Sequence, residues 1–192
     1  MQNERNGAEK LMQINKNDKS VTKTIDTVTD RVVKYMIQHG ITLSTAESCT
    51  GGMVSELITS VPGASNIFLG GACCYTEQIK QKILGVREET LEKYTVYSPQ
   101  VASEMSEGAQ KLFGSAAAIG ITGVAGPGGA GRDRPAGTVF VSVRYKDKEI
   151  VRDLKIYELC TDPDRETVRR TSARLSLEML LELCGTDTDK QG

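Results

Sequence analysis

At 192 residues the chain has the length of a single domain, enough to bury about 70% of the surface its unfolded form exposes. Its 24 lysines and arginines against 25 aspartates and glutamates leave a net charge of −1, so no global field draws it to nucleic acid or to a membrane surface. No apolar run reaches the roughly 18 to 20 residues that span a bilayer, and no apolar core of a secretion signal precedes residue 25, so a cytoplasmic location is expected.

Residues 1–20 are polar without period, and the expectation is a disordered arm. Val21, Ile25, Val28, Val32 and Met36 then recur at helical spacing, with Gly40 at the place of a left-handed cap. A short β-prone stretch from Ile41 to Ala46 enters Glu47-Ser48-Cys49-Thr50-Gly51-Gly52, and helical spacing resumes at Met53, Leu57, Ile58 and Val61. Ile67 to Tyr75 reads as a buried strand and Thr76 to Leu84 as a helix stopped by Gly85. Ser98-Pro99 opens a helix through Phe113.

Ala116 to Ile121 reads as a small apolar strand that empties into a loop, Thr122 to Gly131, holding five glycines. Such a loop lets another group approach its backbone closely. Thr138–Tyr145 and Glu149–Tyr157 read as a hairpin, and a helix from about Asp164 carries Val168, Leu175, Met179 and Leu183 up to Gly185. Residues 21–185 are thus expected to form one α/β domain, a three-layer α/β/α sandwich with a mixed β-sheet, with a flexible tail at 186–192. Sites on such sheets gather at the carboxyl ends of strands, which brings the Ser48 turn, the Tyr75 region and the glycine loop toward one crevice.

Histidine occurs once, as His39, at the end of the first helix, where its ordinary role is to bond carbonyls. A Ser-His-Asp or Cys-His mechanism is therefore not expected, and a hydrolase here needs another base. Five cysteines, odd in number and without C-x-x-C spacing, argue against a disulfide framework and a thiolate zinc site. Cys73, Cys74, Cys160 and Cys184 read as core filler.

Ser48 stands at a helix start, beside N–H groups of Cys49, Thr50, Gly51 and Gly52 that are able to hold an oxyanion. On residue types alone, capping by Ser48 or Thr50 is the commoner role at such a turn, and the two roles are compatible if Thr50 caps and Ser48 stays free. Lys80 follows Tyr75 by five residues, and the positive end of a helix together with partial burial favours the neutral amine that a general base requires. A solvated lysine is nonetheless the ordinary outcome at such positions. Tyr75 could relay the proton or orient the amine. Cys49 is a competing nucleophile with small apolar filler as its ordinary role, Glu47 could orient Lys80 or bond the turn's backbone, and Arg165 could reach a phosphate, although a solvated face is the default for Arg165 and Arg169.

Thr45-Ala46-Glu47-Ser48-Cys49-Thr50-Gly51-Gly52, followed by Ser60-Val61-Pro62-Gly63-Ala64-Ser65, Tyr75 with Lys80, Leu84-Gly85-Val86 and Thr122-Gly123-Val124-Ala125-Gly126-Pro127, strongly resembles the CinA C-terminal domain family over about residues 25–184. The resemblance implies amidohydrolase activity on nicotinamide mononucleotide, giving the nicotinate form and ammonia in pyridine nucleotide recycling. It implies a serine nucleophile with lysine and tyrosine partners, matching Ser48, Lys80 and Tyr75, and a homodimer or higher homo-oligomer. Substrate is expected to be held by Glu47, Thr122, Gly123, Gly126, Pro127, Gly128 and Arg165, with no metal or cofactor and no nucleic-acid or membrane partner.

Three segments depart from the family pattern: Thr95-Val96-Tyr97-Ser98 where Gly-Ala-Val-Ser is usual, Arg134 with Ala136 where lysine and valine are usual, and Thr161-Asp162-Pro163 before Asp164. The first and the third motivate one rival, a nucleotide-binding module of the same fold without turnover; the intrinsic reactivity of a thiolate at a helix start motivates another, a hydrolase using Cys49.

Overall fold

The computed structural model describes residues 19–128, 134–160 and 163–188. The chain runs α1 (Lys19–His39), β1 (Leu43–Glu47), α2 (Met53–Thr59), a 3-10 turn (Ala64–Asn66), β2 (Phe68–Cys73), α3 (Glu77–Leu84), α4 (Glu88–Tyr94), α5 (Pro99–Phe113), β3 (Ala117–Gly123), β4 (Val139–Tyr145), β5 (Lys148–Asp153), α6 (Ile156–Leu159) and α7 (Arg165–Thr188). The expected arm falls mostly outside the described residues, as does the side chain of Val21, while Lys19 and Ser20 already belong to α1.

The five strands form one mixed sheet in the order β2-β1-β3-β4-β5. β1 is parallel to β2 and β3, whereas β4 runs antiparallel to β3 and β5 to β4. Helices cover both faces. Leu43 and Ile119 to Ile121 alternate with Ala46 and Ala118, so successive side chains go to opposite cores. One core joins Leu43, Ile119, Ile121, Val141 and Val143 to α1, α2 and α7 through Ile58, Val32, Met36, Leu177 and Leu180.

The other core sets Ala46 and Ala118 against Val101, Met105 and Ala109 of α5, with Leu84, Val86 and Leu91 closing it. Small residues on this face let α5 lie close to the sheet. A Cβ on Gly120 would sit 2.4 Å from the Ala102 carbonyl and 2.5 Å from the Ser106 nitrogen.

Four details differ from the sequence expectation. β2 is an edge strand, so only alternate residues are covered; Leu69 is 46% exposed and Cys73 is exposed rather than core filler. Helix α4 was not expected at all, because its buried contribution is confined to Thr90 and Leu91, too few residues for a period. The second hairpin strand stops at Asp153, and Ile156–Leu159 is a helical turn. Helix α7 runs through Gly185 to Thr188, and its core-facing residues include Leu177 and Leu180, while Leu175 is only half-buried.

Candidate active site

In β1 and β2 the parallel register pairs Glu47 with Cys73, so both strands end level. The Cys74 amide donates to the Glu47 carbonyl at 2.8 Å, extending that alignment one residue further. Ser48 and Tyr75 therefore leave the sheet side by side. Thr76 caps α3 by accepting from the Ile79 amide at 3.4 Å, and the first turn of α3 carries Lys80 back over the strand ends.

The Lys80 side chain is fully buried, and its Nζ lies 2.9 Å from Ser48 Oγ, 2.9 Å from the Cys74 carbonyl and 3.2 Å from the Tyr75 carbonyl. No carboxylate pairs with it among the described residues. Burial is the chief cause that drives its pKa below the ordinary lysine value of 10.5, opposed in part by Cys74, Cys49 and Glu77. A neutral amine has two N–H groups and one lone pair. Two of its neighbours are carbonyls, which only accept, and the third is a hydroxyl, which can donate to the lone pair; the neutral form is satisfied here.

Glu47 bonds the backbone of the turn, the second of its two expected roles. Its carboxylate accepts from the amides of Gly52, Val54 and Ser55 at 3.1, 3.0 and 2.9 Å and from Ser55 Oγ at 2.8 Å. It thus caps α2 from the preceding strand, where the helix dipole favours a negative charge. Thr50 is not the cap: the N-cap position is Gly52, without a side-chain bond, and Thr50 Oγ1 is buried without a partner. Gly51 and Gly52 take φ of 63° and 95°, a region open to glycine.

This cap changes the oxyanion assignment. The Gly51 amide is committed to the Ser48 carbonyl at 3.1 Å and the Gly52 amide to Glu47, so neither is available as a donor. The Ser48 amide donates to the Ile121 carbonyl at 3.1 Å. The amides of Cys49 and Thr50 have no acceptor among the described residues and remain as the candidate donors.

A cleft of about 410 Å³ opens over Ser48, which is itself only 5% exposed. Of the expected residues, Ser48, Cys49, Tyr75, Lys80, Gly123, Gly126, Gly128 and Arg165 line it. Glu47, Thr50, Gly51, Gly52, Thr122 and Pro127 do not. Thr122 is buried, and its hydroxyl donates to the Val96 carbonyl at 2.8 Å. Thr76, Glu77, Val96 and Tyr97 line the cleft without having been expected there; a helix that follows directly on the strand end carrying Tyr75 is the signal that points to the first two.

The glycine loop serves two purposes. A Cβ on Gly123 would lie 2.5 Å from the Thr138 carbonyl, so that glycine permits a close backbone crossing within the protein. At Gly126 (φ 89°) a Cβ would instead meet the Ala136 side chain at 2.9 Å, whereas nothing lies within 4 Å of a Cβ on Gly128. Gly129 and Gly131 lie outside the described residues.

Tyr75 does not reach Lys80 through its phenol. That hydroxyl accepts from Arg165 Nη2 at 2.8 Å, Tyr75 as a residue is 59% exposed, and its backbone carbonyl accepts from the amine. Arg165 also donates to the Gly126 carbonyl at 2.9 Å, and Arg169 donates twice to the Thr50 carbonyl, at 3.1 and 2.8 Å. Both guanidiniums thus tie α7 to the site; Arg165 is at the same time exposed, as expected of a solvated face, and Arg169 is half-buried. Cys49 is buried, and burial pushes its thiol up to about 12, which disfavours a thiolate. His39 sits on the surface, stacked on Tyr35 and bonded to its carbonyl at 2.8 Å. Among the described residues no group of three His, Cys, Asp or Glu side chains could hold a metal ion, and no helix is long and apolar enough to cross a membrane.

The model of the CinA C-terminal domain matches residues 25–184. The chain belongs to that family. It is 43% identical over 149 residues to a CinA-like protein of Thermotoga neapolitana, covering 78% of this chain and 35% of that protein. It is 38% identical over 149 residues to a protein described as competence-damage inducible in Clostridium botulinum, again covering 78% and 35%. The chain thus spans about a third of the length of these curated relatives. Among solved structures, a competence/damage inducible protein of Agrobacterium tumefaciens superposes with a TM-score of 0.79 at 32% identity, covering 83% of this chain and 95% of that one. A CinA superfamily protein of Escherichia coli gives 0.77 at 32%, covering 89% and 95%.

Proposed function

We propose that this CinA domain is an amidohydrolase that converts nicotinamide mononucleotide to nicotinate mononucleotide and ammonia, with Ser48 as nucleophile and Lys80 as its base. The observation that carries the reading is the 2.9 Å approach of a fully buried lysine amine to Ser48 Oγ, with two carbonyls occupying its N–H groups.

Neutral Lys80 takes the Ser48 proton while Oγ attacks the carboxamide carbon. The oxyanion receives the Cys49 and Thr50 amides. Lys80, now an ammonium held by the Cys74 and Tyr75 carbonyls and Ser48 Oγ, returns its proton to the departing nitrogen, and ammonia leaves. A water then gives its proton to Lys80 and attacks the acyl carbon; the proton goes back to Ser48 as the acid is released.

Arg165, which keeps N–H groups beyond those bound to Gly126 and Tyr75, is placed to meet the phosphate, with the backbone around Gly126 and Gly128 beside it. Tyr97 and Val96 offer the flat apolar wall that an aromatic amide requires. The same reading places the reaction in the cytoplasm and in a homodimer, for which sedimentation of the purified protein is the check. Ammonia release from nicotinamide mononucleotide tests the function itself: steady turnover by the wild type and none by Ser48→Ala supports it, and equal rates for the two proteins overturn it.

A further inference from the structure

The segment that contributes Val96 and Tyr97 to the cleft is held in an unusual conformation. Thr95, a threonine that closes α4, has φ 65° and ψ 166°, a region that residues with a Cβ avoid. Such a conformation persists only when the surroundings over-determine it, and here three consecutive carbonyls are each taken by a different side chain. Ser98 Oγ donates to the Thr95 carbonyl at 3.0 Å, Thr122 Oγ1 to the Val96 carbonyl at 2.8 Å, and Arg134 Nη1 to the Tyr97 carbonyl at 2.8 Å. Arg134 also donates to Thr95 Oγ1. Ser98 caps α5 and Thr122 lies in β3, elements fixed by the core. Arg134 is the charged member of the set and the one that spans both ends of the segment.

We propose that Arg134 is a positioning residue for substrate: it holds Thr95 and Tyr97 so that the Tyr97 ring and Val96 side chain form the wall against which the flat part of the amide substrate lies. The proposal rests on the amidase reading for its substrate, but not for the ordering of the wall. Arg134 itself does not line the cleft, so its effect passes through Val96 and Tyr97. Two of the segments that depart from the family pattern, 95–98 and 134–136, therefore meet in a single contact.

The full chain labelled with 3-fluorotyrosine provides the test, with the Tyr97 resonance assigned by Tyr97→Phe. In the wild type the ordered ring gives a resonance displaced from that of free fluorotyrosine. In Arg134→Ala it moves toward the free position, and in Arg134→Lys, whose point charge reaches one acceptor at a time, it lies between. With nicotinamide mononucleotide, KM rises roughly ten-fold in Arg134→Ala while kcat and its pH profile stay near wild type. An unmoved Tyr97 resonance overturns the proposal. So does a loss confined to kcat, or one that tracks a fall in Tm in both variants. Absence of ammonia release by the wild type defeats the amidase reading instead, and the fluorine spectrum alone then decides whether Arg134 orders the wall.

Discussion

Lys80 Nζ stands 2.9 Å from Ser48 Oγ inside a fully buried side-chain environment. Replacing Lys80 by methionine keeps the volume and removes the amine proposed as the base. Ammonia release is expected to fall by about three orders of magnitude or more, as for loss of other members of nucleophile–base units. Circular dichroism is expected to stay native, and a coupled ammonia assay measures the loss.

The lowered pKa of Lys80 sets a sign for pH dependence. In the proposed mechanism the neutral amine is the active form, so kcat/KM should rise with pH through a limb below the ordinary lysine range, and Lys80→Met should lose that limb with its activity. Stability follows the same direction. The unfolded chain holds the Lys80 proton up to about 10.4 while the folded protein gives it up at lower pH, so this contribution to stability is full above the unfolded value and is lost as pH falls through the folded one. Urea unfolding of wild type and Lys80→Met across that window reads the difference in slope.

Glu47 should act on the fold before it acts on chemistry. Glu47→Gln leaves one oxygen to serve four donors, and two of the buried bonds to Gly52, Val54, Ser55 and Ser55 Oγ are lost. Destabilisation of about 2 to 3 kcal/mol is expected. A urea midpoint equal to that of the wild type would show that the cap contributes nothing.

Thiol chemistry separates Ser48 from Cys49. Cys73 is exposed, whereas Cys49 is buried with its thiol pushed up to about 12. Iodoacetamide at neutral pH should modify Cys73 well ahead of Cys49, and Cys49→Ala should keep ammonia release within a few-fold of wild type. Peptide mass mapping alongside the assay checks both; loss of activity that follows Cys49 labelling would favour the thiol.

Close packing of α5 on the sheet depends on Gly120. A methyl there would meet the Ala102 carbonyl at 2.4 Å, and backbone cannot yield as a side chain does. Gly120→Ala is expected to destabilise by about 1 to 3 kcal/mol, measured as a lowered thermal midpoint.

Local pattern determined much of this protein. Periodicity placed α1, α5 and α7, and the order of strands and helices implied a layered α/β domain. The residues after Ser48 marked a break between strand and helix, and the structure adds that Gly51 and Gly52 turn there in the left-handed region. Residue types named Ser48 and Lys80 as candidates because a single surface histidine left no imidazole for the work.

Tertiary structure alone decided which of these residues meet. Ser48 and Lys80 are 32 positions apart, and only the parallel register that sets Glu47 level with Cys73 brings them together. That Glu47 and not Thr50 caps α2, that the Gly51 and Gly52 amides are already engaged, and that Arg165 and Arg169 reach across from α7 are all long-range pairings. Helical and strand periods report only which face of an element is apolar. Hydrogen-bond partners are set by how those faces stack, and that depends on the packing of the whole chain.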